Sequence, residues 1–166
     1  MKKEIRLYNM IFPIWLLMFF PWVCFPAAAL NFGIDSLVLL LTMKKLGLAP
    51  KKPLWKKSII RVVIFGFIGD IVGALCMLTA DTVLYHTGGH EADHSLMYDP
   101  WRNPLALVTA LFCMAVASLV IFILDRSFAF NKTDLTPEHK KKLALSMAVF
   151  TTPILFIVPT RWFGIY

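Results

Sequence analysis

Long apolar runs alternate along this chain with short segments rich in lysine, arginine and proline. The run from Ile60 to Tyr85 can cross a hydrocarbon core of about 30 Å as a helix. Residues 7–43 are too long for one crossing, since a single helix would extend about 55 Å. Pro21 and Pro26 bracket Trp22 to Phe25, which predicts a turn between two helices there. Asn103-Pro104 reads as an N-cap followed by a first helical residue, and Thr136-Pro137-Glu138 as another start signal. Pro153 predicts a kink and Pro159 an end or bend. The expected spans are therefore about 7–22, 27–43, 60–84, 104–124 and 142–160, with a polar loop at 85–103. The resulting fold class is an all-α polytopic bundle of about five transmembrane spans, one domain over residues 1–166.

Charge orients the bundle. Lysine and arginine gather on cytoplasmic flanks. With 7–22 and 27–43 as a hairpin, all of the 17 basic residues except Arg102 and Arg161 fall on one side. A single broken first span would put Lys2, Lys3 and Arg6 opposite the Lys44–Arg61 cluster, so the hairpin is preferred. The N-terminus is then cytoplasmic, and residues 85–103 lie outside a plasma (inner) membrane. The basic start and first apolar run continue past signal-peptide length without an A-x-A-like site, which predicts a retained span.

Composition agrees: 58% of the 166 residues are hydrophobic and 16% charged, against about 45–50% and about 25% in soluble domains. In a soluble chain a net charge of +7 would point to nucleic acid. Here the basic residues sit at the ends of apolar segments, so the expected partner is the lipid bilayer and its anionic headgroups, with no nucleic acid. Trp55 among paired lysines suits that depth. Cys24, Cys76 and Cys113 lie in apolar runs without CxxC spacing and read as packing residues.

Two constellations carry candidate chemistry. Asp70 lies among Gly66, Gly69 and Gly73, a spacing that lines up Gly66, Asp70 and Gly73 on one helix face, with Gly69 completing a GxxxG. Such glycines admit a partner backbone, and span 27–43 is the expected partner because Asn31 and Asp35 fall at matching depth. Two carboxylates brought together out of water can hold a proton or a cation; in the competing reading, hydrogen bonds to Asn31, a Thr or the backbone make them packing devices. Asp81 lies three turns beyond Asp70 and either extends that polar seam or sits in headgroups beside Arg102 or Arg161. The second constellation is His86, His90 and His94 with Glu91 and Asp93 in the outer loop, a donor set suited to a divalent metal such as Zn²⁺, though Gly88-Gly89 argues against one continuous helix. His139, in a basic run, reads as solvated.

Ile60–Gly69, with its basic Arg61 and Phe65-Gly66 core, resembles the opening span of GtrA-like small multipass proteins. Phe122-Ile123-Leu124-Asp125-Arg126-Ser127-Phe128-Ala129-Phe130 is similar to that family's aromatic-flanked Asn-Arg pattern, with Asp125 where the family usually has Asn. The resemblance covers residues 58–130 and implies translocation of polyprenyl-linked sugars. The N-terminal hairpin, the histidine loop and the single remaining span depart from the family's four-span plan.

Transport through Asp35 and Asp70 of a proton, cation or small solute is the leading expectation. The competitor is a non-catalytic assembly subunit of a larger membrane complex. Enzyme activity is the third choice: an aspartyl-protease dyad is conceivable, but no nucleophile–base set or CDP-alcohol, rhomboid or zinc-protease signature is present. A chain this small encloses little volume, which favours a homo-oligomer or other membrane subunits. The orientation is testable with Lys51→Cys and His90→Cys in a background lacking the native cysteines. An impermeant maleimide applied from outside is expected to label position 90 and spare 51; the reverse pattern refutes it.

Overall fold

The computed structural model describes residues 21–49, 51–87 and 89–159. The expected span 7–22 therefore lies almost wholly outside the described residues, as do Arg161 and the aromatic C-terminal segment. Five α-helices follow in order: α1 (Pro21–Lys45), α2 (Lys51–His86), α3 (His90–Tyr98), α4 (Pro104–Leu124) and α5 (Pro137–Phe150). A π-helical turn, Asp125–Ala129, prolongs α4, and single 3₁₀ turns occupy Pro100–Arg102 and Ile154–Ile157. No strand occurs among the described residues.

Two helices, Lys52–His86 and Pro104–Ala129, are long and apolar enough to cross a membrane. Only 33% and 28% of their most apolar windows are buried, whereas the core helix of a soluble domain is mostly covered. The uncovered faces carry Ile60, Ile64, Leu75, Val108, Phe112 and Leu119. Leaving such side chains in water forfeits about 1.5–3 kcal/mol each, which lipid would restore.

Three expected boundaries are corrected. Residues 21–26 do not turn; they are helical and open α1, with Pro26 inside it. An internal proline removes one backbone bond and bends a helix without having to end it. The lysine-rich segment expected as loop forms the first turns of α2, with Pro53 early enough to cost no intrahelical donor. There Trp55 is half-buried and meets the Phe32 ring edge-on at 6.1 Å. Span 142–160 is not one kinked helix: α5 stops at Phe150 and a 3₁₀ turn follows. Pro153 has no N–H to continue the ladder and drives Thr152 away from helical geometry. The Thr151 and Thr152 hydroxyls instead donate back to the Met147 and Ala148 carbonyls at 2.8 and 2.6 Å. Both start signals hold. Asn103 accepts from the Leu105 amide at 2.9 Å, and Thr136 accepts from His139 N–H.

The α2–α4 contact is the closest-packed feature. A Cβ at Gly69 would run into the Ile121 side chain and lie 3.2 Å from the Ala117 carbonyl oxygen. One at Gly73 would lie 2.7 Å from the Phe156 ring and 2.9 Å from Ala117 Cβ. The partner of these two glycines is thus α4, not the helix carrying Asp35; Ala117, with no side chain beyond Cβ, lets α4 approach where α1's larger residues would not. One turn further along α2 the free thiols of Cys76 and Cys113 touch, Sγ to Sγ 3.3 Å. Apolar side chains fill two clusters. One joins Leu39 and Met43 to Val62, Phe130 and Leu143; the other joins Ala74 and Met77 to Leu96, Cys113 and Phe156. Along α2, Asp70 falls between them.

Gly69→Leu is expected to destabilise the protein by about 1–3 kcal/mol or more, the cost of overpacking against a backbone. Leu75→Ala, on the uncovered face, should stay within about 0.5 kcal/mol. Unfolding in mixed detergent reads both; equal tolerance would contradict the close approach.

Candidate functional site

Asp35 and Asp70 do meet. They line one cavity of about 240 Å³, together with Asn31, Gly66 and the segment 150–156. Asp35 is 5% exposed and Asp70 7%. Asp35 projects from α1 towards the gap at Gly66, where an added Cβ would lie 3.6 Å from its Oδ2. The carboxylate therefore lies against the Gly66 position of α2. The Asn31 side-chain amide, one turn before Asp35, hydrogen-bonds the Asp70 carboxylate. No donor or cation among the described residues pairs with Asp35, whereas Asp70 and Asp35 repel one another.

The broken end of α5 completes the wall. Because Pro153 ends the helix within the fold, Phe150 to Phe156 wrap the cavity as irregular backbone. A helix C-terminus is the negative end of its dipole and, like the carboxylates, favours a positive charge.

Asp125 was legible in the sequence only as the charged end of span four, and the structure gives it more. It opens the π-helical turn, is 0% exposed, and neither of its carboxylate oxygens has a hydrogen-bond partner among the described residues. Its charge is felt from Asp35. The adjacent Arg126 lies over the Phe122 ring, 6.0 Å from its centroid. Arg61 donates to the Phe128 and Ala129 carbonyls at 3.4 Å each, serving backbone groups at the end of the π turn. Two apolar clusters thus flank three buried carboxylates, a combination that must either take up protons or hold a cation. The signal available in the sequence was a carboxylate directly after 21 uncharged residues, without a following acid–base partner on the same face.

The other expected residues are placed elsewhere. Asp81 does not reach the cavity; its charged neighbour is Asp93 across the α2–α3 turn. Arg102, its expected companion, holds Asp99 at 3.2 Å, three residues away in the same turn. His86 ends α2, and the chain reverses through Gly89, whose amide donates to the Leu84 carbonyl at 2.9 Å. That break takes His86 out of the helical register shared by His90 and His94. The rings of His86 and His90 both pack against Tyr85, at 5.5 and 5.1 Å, and His94 packs against Tyr98 at 4.9 Å. The structure therefore does not assemble His86, His90, His94, Glu91 and Asp93 into a ligand set: among the described residues no three His, Cys, Asp or Glu side chains are grouped to hold a metal.

No protein-family model matches the chain, and neither a curated protein nor a solved structure is detectably similar to it.

The shared site is checked by Asp35→Cys with Asp70→Cys in a background lacking native cysteines. A short bifunctional thiol reagent is expected to link the two positions in membranes within minutes. No linkage, with both thiols reactive, would separate α1 from Asp70.

Proposed function

We propose that this chain is a small integral membrane transport protein that carries a proton, a cation or a small cationic solute through the Asp35–Asp70 cavity. The observation that carries the reading is the convergence of two carboxylates, from α1 and α2, on a cavity walled by a broken helix. Acids at membrane depth are costly and are held where they face a pathway. Irregular backbone is tolerated there only where it is buried in protein or lines a cavity. Both features meet at one place in this molecule.

In this reading the basic ends of α1, α2 and α4 face the cytoplasm, and α3 with the histidines lies outside. Helix α1 serves as a further span beside α2 and α4. The cavity that Asp35 and Asp70 share within one chain is small, about 240 Å³, so the working unit is a homo-oligomer or an assembly with other membrane subunits. The cation enters against Asp35, where no protein group competes for the carboxylate, and Asn31 orients Asp70 as the second acceptor.

Proteoliposomes loaded with a pH-sensitive dye test the reading. The wild type is expected to pass protons or exchange them for an added cation. Asp35→Asn and Asp70→Asn should lower that flux at least tenfold while remaining monodisperse, because the amide keeps its hydrogen bonds but cannot ionise. Glu138→Gln, on the surface, should not. Undiminished flux in both cavity variants would assign the carboxylates to helix packing and favour the assembly-subunit reading.

A further inference from the structure

We infer that the cavity takes a small organic ammonium, a cation carrying an apolar or aromatic body, rather than a bare metal ion. This rests on the transport reading above and names its substrate class. Size comes first. About 240 Å³ is room for several waters at about 30 Å³ each, far more than one dehydrated ion fills. It is also smaller than the about 300–1,000 Å³ of pockets for drug-sized ligands.

The lining decides the rest. A hard cation such as Ca²⁺ takes 6–8 oxygens, and Mg²⁺ a near-ideal octahedron. Here the charged and amide groups are those of Asn31, Asp35 and Asp70, while most other lining residues are apolar: Leu30, Ile34, Phe150, Ile154, Leu155 and Phe156. The hydroxyls of Thr151 and Thr152 are already turned to the α5 carbonyls. The Asp35 carboxylate, 5% exposed and without a donor or cation among the described residues, borders this space. Carboxylates set among mostly apolar lining residues match a ligand with a charged head and an apolar body.

Binding is measured on the full chain in nanodiscs by calorimetry, with benzyltrimethylammonium as the probe and sodium and tetramethylammonium as comparisons. Saturable binding of the benzyl probe is expected, weakened at least tenfold by Asp35→Asn or Asp70→Asn. Sodium at a hundredfold excess should not displace it. Leu30→Trp, which narrows the cavity away from the carboxylates, should weaken the benzyl probe at least five times more than tetramethylammonium. Proton flux is recorded on the same preparations. Carboxylate-dependent flux with no binding of the organic probe, or with sodium displacing it, would overturn the substrate class and leave the transport reading standing. Flux and probe binding that both ignore the Asp→Asn changes would overturn the two together.

Discussion

The close approach of α2 to α4 at Gly69 and Gly73 governs the rest of the molecule. These positions leave no space for even one extra carbon against Ile121, Ala117 and Phe156. Gly66 and Asp70 line the cavity shared with α1 and the end of α5. Gly73, one turn beyond Asp70, leaves the space that the Phe156 ring fills. Phe156 is 1% exposed and belongs to the cluster that includes Cys113 and Met77. The chain beyond Pro153 is therefore anchored on the same glycine face that holds α4. One set of missing side chains positions both the second carboxylate and the irregular wall opposite it.

Two groups of acids stand out among the described residues. In the first the partner is local. Asp99 is held by Arg102, and Glu138 by Lys142 at 2.6 Å, one turn away on α5. The Lys142 ammonium keeps the Glu138 carboxyl below its ordinary value, but both groups are in the open and such pairs contribute little stability. Asp35, Asp70 and Asp125 form the other population, enclosed and mutually repulsive, with Arg61 and Arg126 directed to carbonyls and a ring instead. Removing charges from water costs several kcal/mol per ion unless a partner compensates. The proposed proton or cation would supply that compensation, since Arg61 and Arg126 are directed elsewhere.

Much of this was determined by local chemistry and is visible in the amino-acid order. Twenty-one uncharged residues after the Asn103 cap, Pro104 first among them, make α4 whatever surrounds them, and Thr136-Pro137 starts α5 for the same reason. The GxxxG spacing around Asp70 announces a close helix contact, and the one-turn offset of Asn31 and Asp35 announces a polar face. These signals depend on residues within a turn or two of each other, so no tertiary information is needed to read them. The extent of α2 towards Lys51 and the continuity of α1 through Pro26 were less legible, because lysine and proline permit both helix and loop.

Tertiary structure decided which surfaces meet. Spacing shows that Gly69 and Gly73 want a partner but not which helix supplies it, and α4 wins through Ala117, where α1 was expected. Pro153 allows either a kink or a stop, and the Thr151 and Thr152 hydroxyls together with the burial of Phe156 make it a stop. Asp125 looks like an interfacial acid in the sequence; only the packing of α2 against the π turn encloses it. The histidine spacing survives on α3, yet a reversal at Gly89 separates His86 from the others. In each case the sequence defined a local preference shared by several outcomes, and contacts between residues far apart in the chain selected one.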